Sequence, residues 1–214
     1  MLLNAKWFFW ILFLFCCILL VTPILIRDNY SDELLVDGES YRNLRLSEDL
    51  KSKGVSSSDE LSYGGREFIE EKGWHFLLSF SPIFLSKYLP AILGLFSFVL
   101  FYSILEKIKP SIKGLASLFL IISPSFLYLF YISTKYSAAL LFILLGFYLF
   151  LLDRRLFAYL SFFISGLFSV FSLLVVSILF LFVSKDRKYF NFGITFASFL
   201  VIFLFYFKEL FYLG

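Results

Sequence analysis

The sequence has little charge, a single histidine and almost no cysteine. Asp, Glu, Lys and Arg make up 16% of its 214 residues, whereas soluble domains average about 25%. The two cysteines, Cys16 and Cys17, are neighbours in an apolar run, where a disulfide would be strained and metal-site spacing is absent. The shortage of charge excludes a soluble enzyme and a nucleic-acid binder, and we interpret the cysteines as packing residues.

Apolar and aromatic residues take the place of the missing charge. Hydrophobic residues make up 60% of the chain and aromatic residues 22%, with 32 Phe and 13 Tyr. A soluble domain of this size cannot hide so many large apolar side chains, because too much of its surface stays exposed. The composition therefore indicates an integral membrane protein. The first apolar run, residues 7–26, is long enough to cross a bilayer and lacks a following cleavage site, so we predict a retained transmembrane helix.

Charge is distributed unevenly along the chain. Residues 27–73 hold 7 basic and 12 acidic residues, which leaves 12 basic and 4 acidic residues elsewhere. Basic clusters at 107–113, 154–155 and 185–188 separate the later apolar runs, and Lys and Arg in short loops stay on the cytoplasmic side. We therefore predict about seven transmembrane helices, with the N-terminus cytoplasmic and both loop 27–73 and the C-terminus on the outer face.

These features predict an all-α, polytopic membrane protein with a single membrane domain over residues 1–214. The first transmembrane helix, 7–26, is followed by an outer loop, 27–87, that contains two juxtamembrane helices, near 41–53 and 74–87. A six-helix remainder, 88–207, completes the predicted domain. Within that remainder, residues 156–184 are predicted to form two short helices that break near Ser165-Gly166, and one long tilted helix is the alternative.

The outer loop holds the residues with chemical potential. Asp37 and Glu39 stand at the start of the helix predicted over 41–53, where the helix dipole favours carboxylates, so they serve either as caps or in chemistry. Leu46 and Leu50 define one face of that helix, and Gly54 supplies its stop.

Two further loop features are less specific. Gly64 and Gly65 could let a backbone approach a ligand, and the adjacent Arg66 could bind phosphate in a bidentate fork, although Gly-Gly is also an ordinary turn. The single histidine, His75, follows Trp74 and is interpreted as an interfacial polar contact rather than a catalytic base.

The order of these motifs resembles the GT-C glycosyltransferase superfamily, which includes oligosaccharyltransferase catalytic subunits and dolichyl-phosphate-mannose protein mannosyltransferases. The resemblance covers roughly residues 7–155 and implies the fold of the GT-C conserved module. It also implies transfer of a sugar or glycan from a polyprenyl-phosphate-linked donor, such as a dolichyl phosphate sugar, to an acceptor on the outer face. The motifs that carry it are the acidic residue before Ser40-Tyr41-x-x-Leu44-Arg45, the helix ending in Gly54, Tyr63-Gly64-Gly65-Arg66, and a third span with Ser123-Pro124 near its outer end.

The resemblance implies roles for particular residues. Glu39 matches the catalytic carboxylate, with Asp37 beside it, and the two could act as a general base or hold Mg²⁺ or Mn²⁺. Arg66, with Gly64 and Gly65, is the implied binding site for the donor phosphate.

One position departs from the family pattern. Many members carry a second acidic residue at the outer turn after the third span, whereas this chain has Lys135, a cation that could pair with the donor phosphate. A catalytically degenerate module that binds a lipid-linked sugar or a partner transferase subunit is therefore the alternative. A third hypothesis is a transporter or structural membrane protein that only shares the topology, and the charge-free spans weaken it. The expected partners are the bilayer, the lipid-linked sugar and a partner membrane subunit, with no nucleic acid.

Overall fold

A computed structural model gives the architecture of the chain and describes residues 5–30, 34–54, 58–59, 66–67, 72–183 and 188–207. These residues form ten helices and one antiparallel pair of two-residue strands. In chain order the elements are α1 (Ala5–Tyr30), α2 (Gly38–Lys53), β1 (Ser58–Asp59), β2 (Arg66–Glu67), α3 (Gly73–Ser79), α4 (Pro82–Ile108), α5 (Lys113–Ile122), α6 (Pro124–Tyr131), α7 (Lys135–Leu151), α8 (Arg155–Phe168), α9 (Val170–Val183) and α10 (Lys188–Phe207).

The predicted class, a helical protein with several membrane spans, is confirmed at a coarse level. Three described helices, α1, α4 and α10, are long and apolar enough to cross a bilayer, and the bent pair α5 and α6 makes a fourth candidate if counted as one span. Helices α8 and α9 have 14 residues each. At a rise of 1.5 Å per residue each is about 21 Å long, shorter than the roughly 30 Å hydrocarbon core. Length and composition thus support fewer spans than the seven predicted.

Helices α1 and α4 run antiparallel and form the centre of the first half of the bundle. Near the start of α1, the ring of Phe9 stacks on Phe98 of α4 with centroids 6.1 Å apart. At the other end, Asp28 forms an ion pair with Lys87 and accepts a hydrogen bond from the Tyr88 hydroxyl at 3.1 Å. Contacts at both ends fix the direction of each helix relative to the other.

Proline interrupts the hydrogen-bond ladder at two places in this half of the bundle, between α5 and α6 and inside α1. The predicted third span is broken at Ser123-Pro124, where α5 and α6 meet at a bend of 57°, because proline lacks the N–H that would continue the ladder. Inside α1, Pro23 likewise removes the N–H that the Leu19 carbonyl would accept in a regular helix. The Tyr131 hydroxyl at the end of α6 donates to that carbonyl at 2.7 Å. A side chain of α6 therefore supplies the donor that α1 lacks.

Helices α7 to α10 form a second cluster around aromatic rings. Phe162 of α8 is fully buried and contacts Phe147 of α7 and Phe180 of α9, with centroids 5.2 and 5.5 Å away. Phe180 lies near the end of α9, whereas Leu173, nearer its start, lies against Gly166. Helices α8 and α9 are therefore antiparallel.

The predicted pair of short helices is confirmed in place of one long helix, but the break lies at Ser169 rather than Ser165-Gly166. Gly166 stays inside α8, where the side chains of Leu173 and Ile202 leave no room for a larger residue.

The loop helices differ from prediction in their boundaries and in their buried face. Helix α2 begins at Gly38 rather than near 41, and it ends before Gly54 as predicted, where φ is +79°. Helix α3 covers only the first half of the helix predicted over 74–87, because α4 already begins at Pro82. The buried side chains of α2 are not Leu46 and Leu50, which are half-buried; they are Ser40, Asn43, Leu44 and Ser47.

Candidate functional site

A polar cleft lies where the start of α2 meets the start of α7. Its volume is about 220 Å³, and it is lined by Glu39, Arg42, Asn43, Lys135 and Tyr136. Residues almost a hundred positions apart in the sequence therefore share one small site. Two cationic side chains and one carboxylate line the cleft.

Local capping places Glu39 at the cleft. Asp37 is the N-cap of α2, and its carboxylate oxygen Oδ1 accepts a hydrogen bond from the Ser40 N–H at 3.0 Å. This bond satisfies one of the N–H groups that a helix start leaves without a partner. Glu39 then falls in the first turn, with an exposed side chain. Asp37 itself does not line the cleft. Of the two predicted carboxylates, one caps the helix and the other faces the site.

Hydrogen bonds hold α2 against the turn that connects α6 to α7. The Ser133 N–H donates to Ser40 Oγ at 2.8 Å, and Asn43 Nδ2 donates to the Ser133 carbonyl at 2.6 Å. Both backbone groups of the buried Ser133 are thus satisfied by side chains of α2, as buried peptide groups require. Next to it, the Thr134 hydroxyl donates to Glu39 Oε1 at 2.9 Å. We call this set of bonds the polar joint: Ser40, Asn43 and Glu39 with Ser133 and Thr134.

His75 supports the polar joint from behind. Its Nε2 lies 3.0 Å from Asn43 Oδ1, and only 3% of the residue is exposed. Because the Asn43 amide nitrogen faces the Ser133 carbonyl, its oxygen faces the ring, and Nε2 therefore carries the hydrogen. His75 is buried and makes a polar contact, as predicted. Its predicted place at the membrane interface stays a prediction.

The structure brings two of the predicted site residues into one cleft and leaves three others wholly or partly undescribed. Glu39 and Lys135 line one cleft, although no local sequence signal linked them. Gly64 and Gly65 lie outside the described residues. Arg66 belongs to strand β2, where it is paired with Asp59, and its side chain lies outside the described part of the chain.

Three cleft residues were missed by sequence reasoning. Arg42, Asn43 and Tyr136 all line the site. Arg42 could have been found, because it lies three residues after Glu39 and so falls on the same helix face. Tyr136 and Asn43 carry no such signal, since only the packing of α2 on the α6–α7 turn brings them together.

The cleft is poorly suited to a divalent cation. Mg²⁺ and Mn²⁺ prefer several oxygen ligands, carboxylates above all. Among the described lining residues Glu39 is the only carboxylate. It already accepts a hydrogen bond from Thr134, and two cationic side chains share the space. Across the described residues, no cluster of three or more His, Cys, Asp or Glu side chains could hold a metal ion. The charges of the cleft match an anion better than a metal.

Comparison of the chain with family models, curated proteins and solved structures finds no match. The resemblance to the GT-C superfamily therefore stays a prediction from sequence motifs. Function is inferred from the residues of the cleft.

Proposed function

We propose that this protein is a membrane glycosyltransferase of GT-C type that transfers a sugar from a polyprenyl-phosphate-linked donor to an acceptor. The observation that carries the proposal is the cleft itself. It combines one carboxylate, Glu39, with the cations Arg42 and Lys135 at one end of an apolar helix bundle. Such a combination suits a reaction in which a phosphate leaves and a hydroxyl loses its proton.

The proposal includes about seven crossings with the cleft on the outer face. Phe8, near the start of α1, lies against Gly114, at the start of α5. The basic turn between α4 and α5 therefore lies at one end of α1. Asp28 and its partner Lys87 lie at the other end, from which the chain continues into the loop helices. Lys and Arg in short loops favour the cytoplasm, which favours the outer face for the cleft. The antiparallel course of α8 and α9 supports two further crossings, for which the bilayer would thin locally around their short lengths.

In the proposed reaction, Lys135 and Arg42 bind the phosphate of the donor while its polyprenyl chain stays in the bilayer. Glu39 accepts the proton of the acceptor hydroxyl as the hydroxyl oxygen attacks the anomeric carbon of the sugar. The new glycosidic C–O bond forms as the bond from the anomeric carbon to the phosphate oxygen breaks. The phosphate departs with the electron pair as polyprenyl phosphate, and its added charge is stabilised by the two cations.

Donor consumption in nanodiscs tests the proposal. The purified protein is mixed with a polyprenyl-phosphate-linked radiolabelled sugar and a membrane extract that supplies acceptors, and loss of donor is followed. We expect Glu39→Gln to slow consumption by about 10²- to 10⁴-fold, the usual contribution of a general base. Glu48→Gln is the matched control, because Glu48 is an exposed carboxylate on the same helix away from the cleft. Equal rates for Glu39→Gln and wild type would overturn the assigned role of Glu39.

A second candidate is a degenerate module that binds a lipid-linked sugar without transferring it. Two observations favour it: the cleft has a single carboxylate among its described lining residues, and Thr134 donates a hydrogen bond to that carboxylate. This bond occupies one of the two oxygens that would otherwise accept the proton of the acceptor hydroxyl. The same nanodisc assay separates the two functions, since a binding module retains labelled donor on the protein but leaves the total amount of donor unchanged.

A further inference from the structure

We propose that Thr134 is a positioning residue for the Glu39 carboxylate: it holds one carboxylate oxygen and leaves the other open to the acceptor hydroxyl. The proposal rests on the proposed function and adds to it a residue that acts through the base rather than on the substrate. It stands on one long-range hydrogen bond, from the Thr134 hydroxyl to Glu39 Oε1 at 2.9 Å, and on the place of Thr134 in the chain.

Thr134 departs from the usual role of a threonine at a helix start. It is the N-cap of α7, with φ −128° and ψ 147°, the extended conformation that an N-cap residue adopts. A threonine there normally uses its hydroxyl oxygen to accept a hydrogen bond from an N–H of the first helical turn. At the described start of α7 no such bond is made, and the hydroxyl donates instead to a residue 95 positions earlier. The side chain therefore serves α2 rather than its own helix.

Burial fixes the Thr134 hydroxyl in place. The residue is 0% exposed, so water does not compete for its hydroxyl, and a buried hydroxyl that lost its acceptor would stay unsatisfied at a cost in free energy. Thr134 is also held through its neighbour, because both backbone groups of Ser133 bind side chains of α2, those of Ser40 and Asn43. The hydroxyl is therefore a fixed point beside the Glu39 carboxylate.

A fixed hydrogen-bond donor matters for Glu39 because its side chain is exposed. An unrestrained glutamate side chain has several rotamers, and most of them would point the carboxylate away from a given substrate atom. Anchoring Oε1 restricts the carboxylate to rotamers that reach Thr134. The second oxygen, Oε2, is not engaged by Thr134 and can accept the proton of the acceptor hydroxyl. A base must lie within hydrogen-bond reach of the proton that it removes, and a misplacement of about 1 Å costs up to about 10²-fold in rate.

Substitutions at position 134 test this role in the nanodisc assay of donor consumption. Thr134→Val keeps the shape of the side chain and removes the hydroxyl, and we expect kcat to fall about 10- to 100-fold with the KM for the donor unchanged. Thr134→Ser keeps the hydroxyl and should retain a kcat close to that of the wild type. Thr134→Ala differs from Thr134→Ser only in lacking the hydroxyl. It should behave like Thr134→Val, and it takes the place of that variant if Thr134→Val does not fold.

The matched control is Thr195→Val. Thr195 is buried in α10, and its hydroxyl donates to the Asn191 carbonyl of the same helix. This variant makes the same chemical change far along the chain from the cleft, and it should leave kcat unchanged.

A double-mutant cycle distinguishes positioning from a purely structural role. In the Glu39→Gln background the base is absent, so Thr134→Val should cause no further fall in the residual rate. A hydrogen bond that only stabilised the fold would lower the rate by the same factor in both backgrounds, and that result would overturn the positioning role.

The outcomes also separate this proposal from the proposed function. Suppose that Glu39→Gln slows donor consumption while Thr134→Val and Thr134→Ala keep the wild-type kcat, or that Thr134→Ser loses as much activity as Thr134→Ala. Either result overturns the role of Thr134 and leaves the transferase proposal standing. Absence of donor consumption by the wild-type protein overturns both.

Discussion

Two regions of the molecule bury side chains of opposite character. One is the polar joint, and the other is the aromatic cluster of α7 to α10 around Phe147, Phe162 and Phe180. In the joint, buried Ser40 and Asn43 meet buried Ser133 through hydrogen bonds. In the cluster, Phe162 and Phe180 meet through their rings. Within a bilayer, van der Waals packing holds helices together, because lipid tails are as apolar as the side chains. At the end of the bundle, water competes for polar groups, and directional bonds fix one geometry. The aromatic cluster therefore sets stability, whereas the polar joint sets the shape of the cleft.

The largest effect expected from this comparison is a loss of stability on changing Phe162→Ala. The ring is fully buried between Phe147 and Phe180. Deleting a buried Phe costs about 3–5 kcal/mol of unfolding free energy in soluble proteins, and we expect the lower part of that range here because the lost contacts are mainly van der Waals ones. Thermal unfolding in detergent measures the change.

The matched control is Phe182→Ala on α9, where the side chain is 81% exposed and should contribute little. Affinity for the polyprenyl-phosphate-linked sugar donor, measured below the unfolding transition, should stay at the wild-type value in both variants. A loss of affinity in Phe162→Ala would contradict the view that the aromatic cluster affects stability without affecting the cleft.

The second-largest loss of stability is expected for a substitution at Gly73, at the start of α3, which packs against α8 of the aromatic cluster. A Cβ atom added at Gly73 would lie 2.5 Å from the backbone oxygen of Leu167 in α8. Because a backbone atom cannot rotate away, Gly73→Ala must move α3 relative to α8, and overpacking of this kind costs about 1–3 kcal/mol. Since His75 follows on α3 and contacts Asn43, we also expect weaker binding of the polyprenyl-phosphate-linked sugar donor.

Gly193→Ala on α10 is the control for Gly73→Ala. The added methyl group would meet no other atom within 4 Å, and alanine favours helix by up to about 1 kcal/mol over glycine. Gly193→Ala should therefore leave stability unchanged or slightly raised. Equal unfolding temperatures for the two variants would contradict the close approach of α3 and α8.

Much of this comparison could be predicted from the sequence, but the joint could not. Apolar runs, prolines and the Asp37 to Gly54 capping pattern predicted most helices, because these signals act locally. The buried polar face of α2 was missed, since Leu46 and Leu50 carried the apolar signal while Ser40 and Asn43 carry the contacts. Short polar side chains on a helix are predicted to face solvent, because the sequence does not show which distant group forms a hydrogen bond with them.

The candidate site shows the same limit. Glu39 was predicted from its place before the α2 motif, and Lys135 from its place after the third span. Their meeting in one cleft depends on the 133–134 turn, whose backbone groups bind side chains of α2. Backbone groups are the same in every residue, so the sequence holds no record of which of them accept long-range bonds.

A similar effect on stability, with a larger one on binding, is expected for Asn43→Leu. The variant removes the bond to the Ser133 carbonyl and the bond to His75. Loss of a buried hydrogen-bond partner costs about 1–3 kcal/mol, and we expect about 2 kcal/mol in thermal unfolding. Because Asn43 lines the cleft, affinity for the polyprenyl-phosphate-linked sugar donor should fall about tenfold or more in the same preparation.

Asn29→Ala removes an amide that donates to a local carbonyl, that of Leu25, at the exposed end of α1. This control should change neither stability nor affinity measurably. Normal affinity in a folded Asn43→Leu variant would contradict the view that the joint shapes the site.

The smallest effect tests whether a hydrogen bond matters inside the apolar region. Tyr131→Phe removes the donor of the Leu19 carbonyl, and bonds of this kind between membrane helices average about 0.6 kcal/mol. Pro23→Ala restores an N–H to α1, and that N–H can donate to the same carbonyl. We therefore expect Tyr131→Phe to cost less in the Pro23→Ala background than in wild type, a coupling that a double-mutant cycle of unfolding free energies measures. Tyr128→Phe, at an exposed position of α6, should show no coupling. Identical costs of Tyr131→Phe in both backgrounds would mean that packing alone, as in the aromatic cluster, joins α6 to α1.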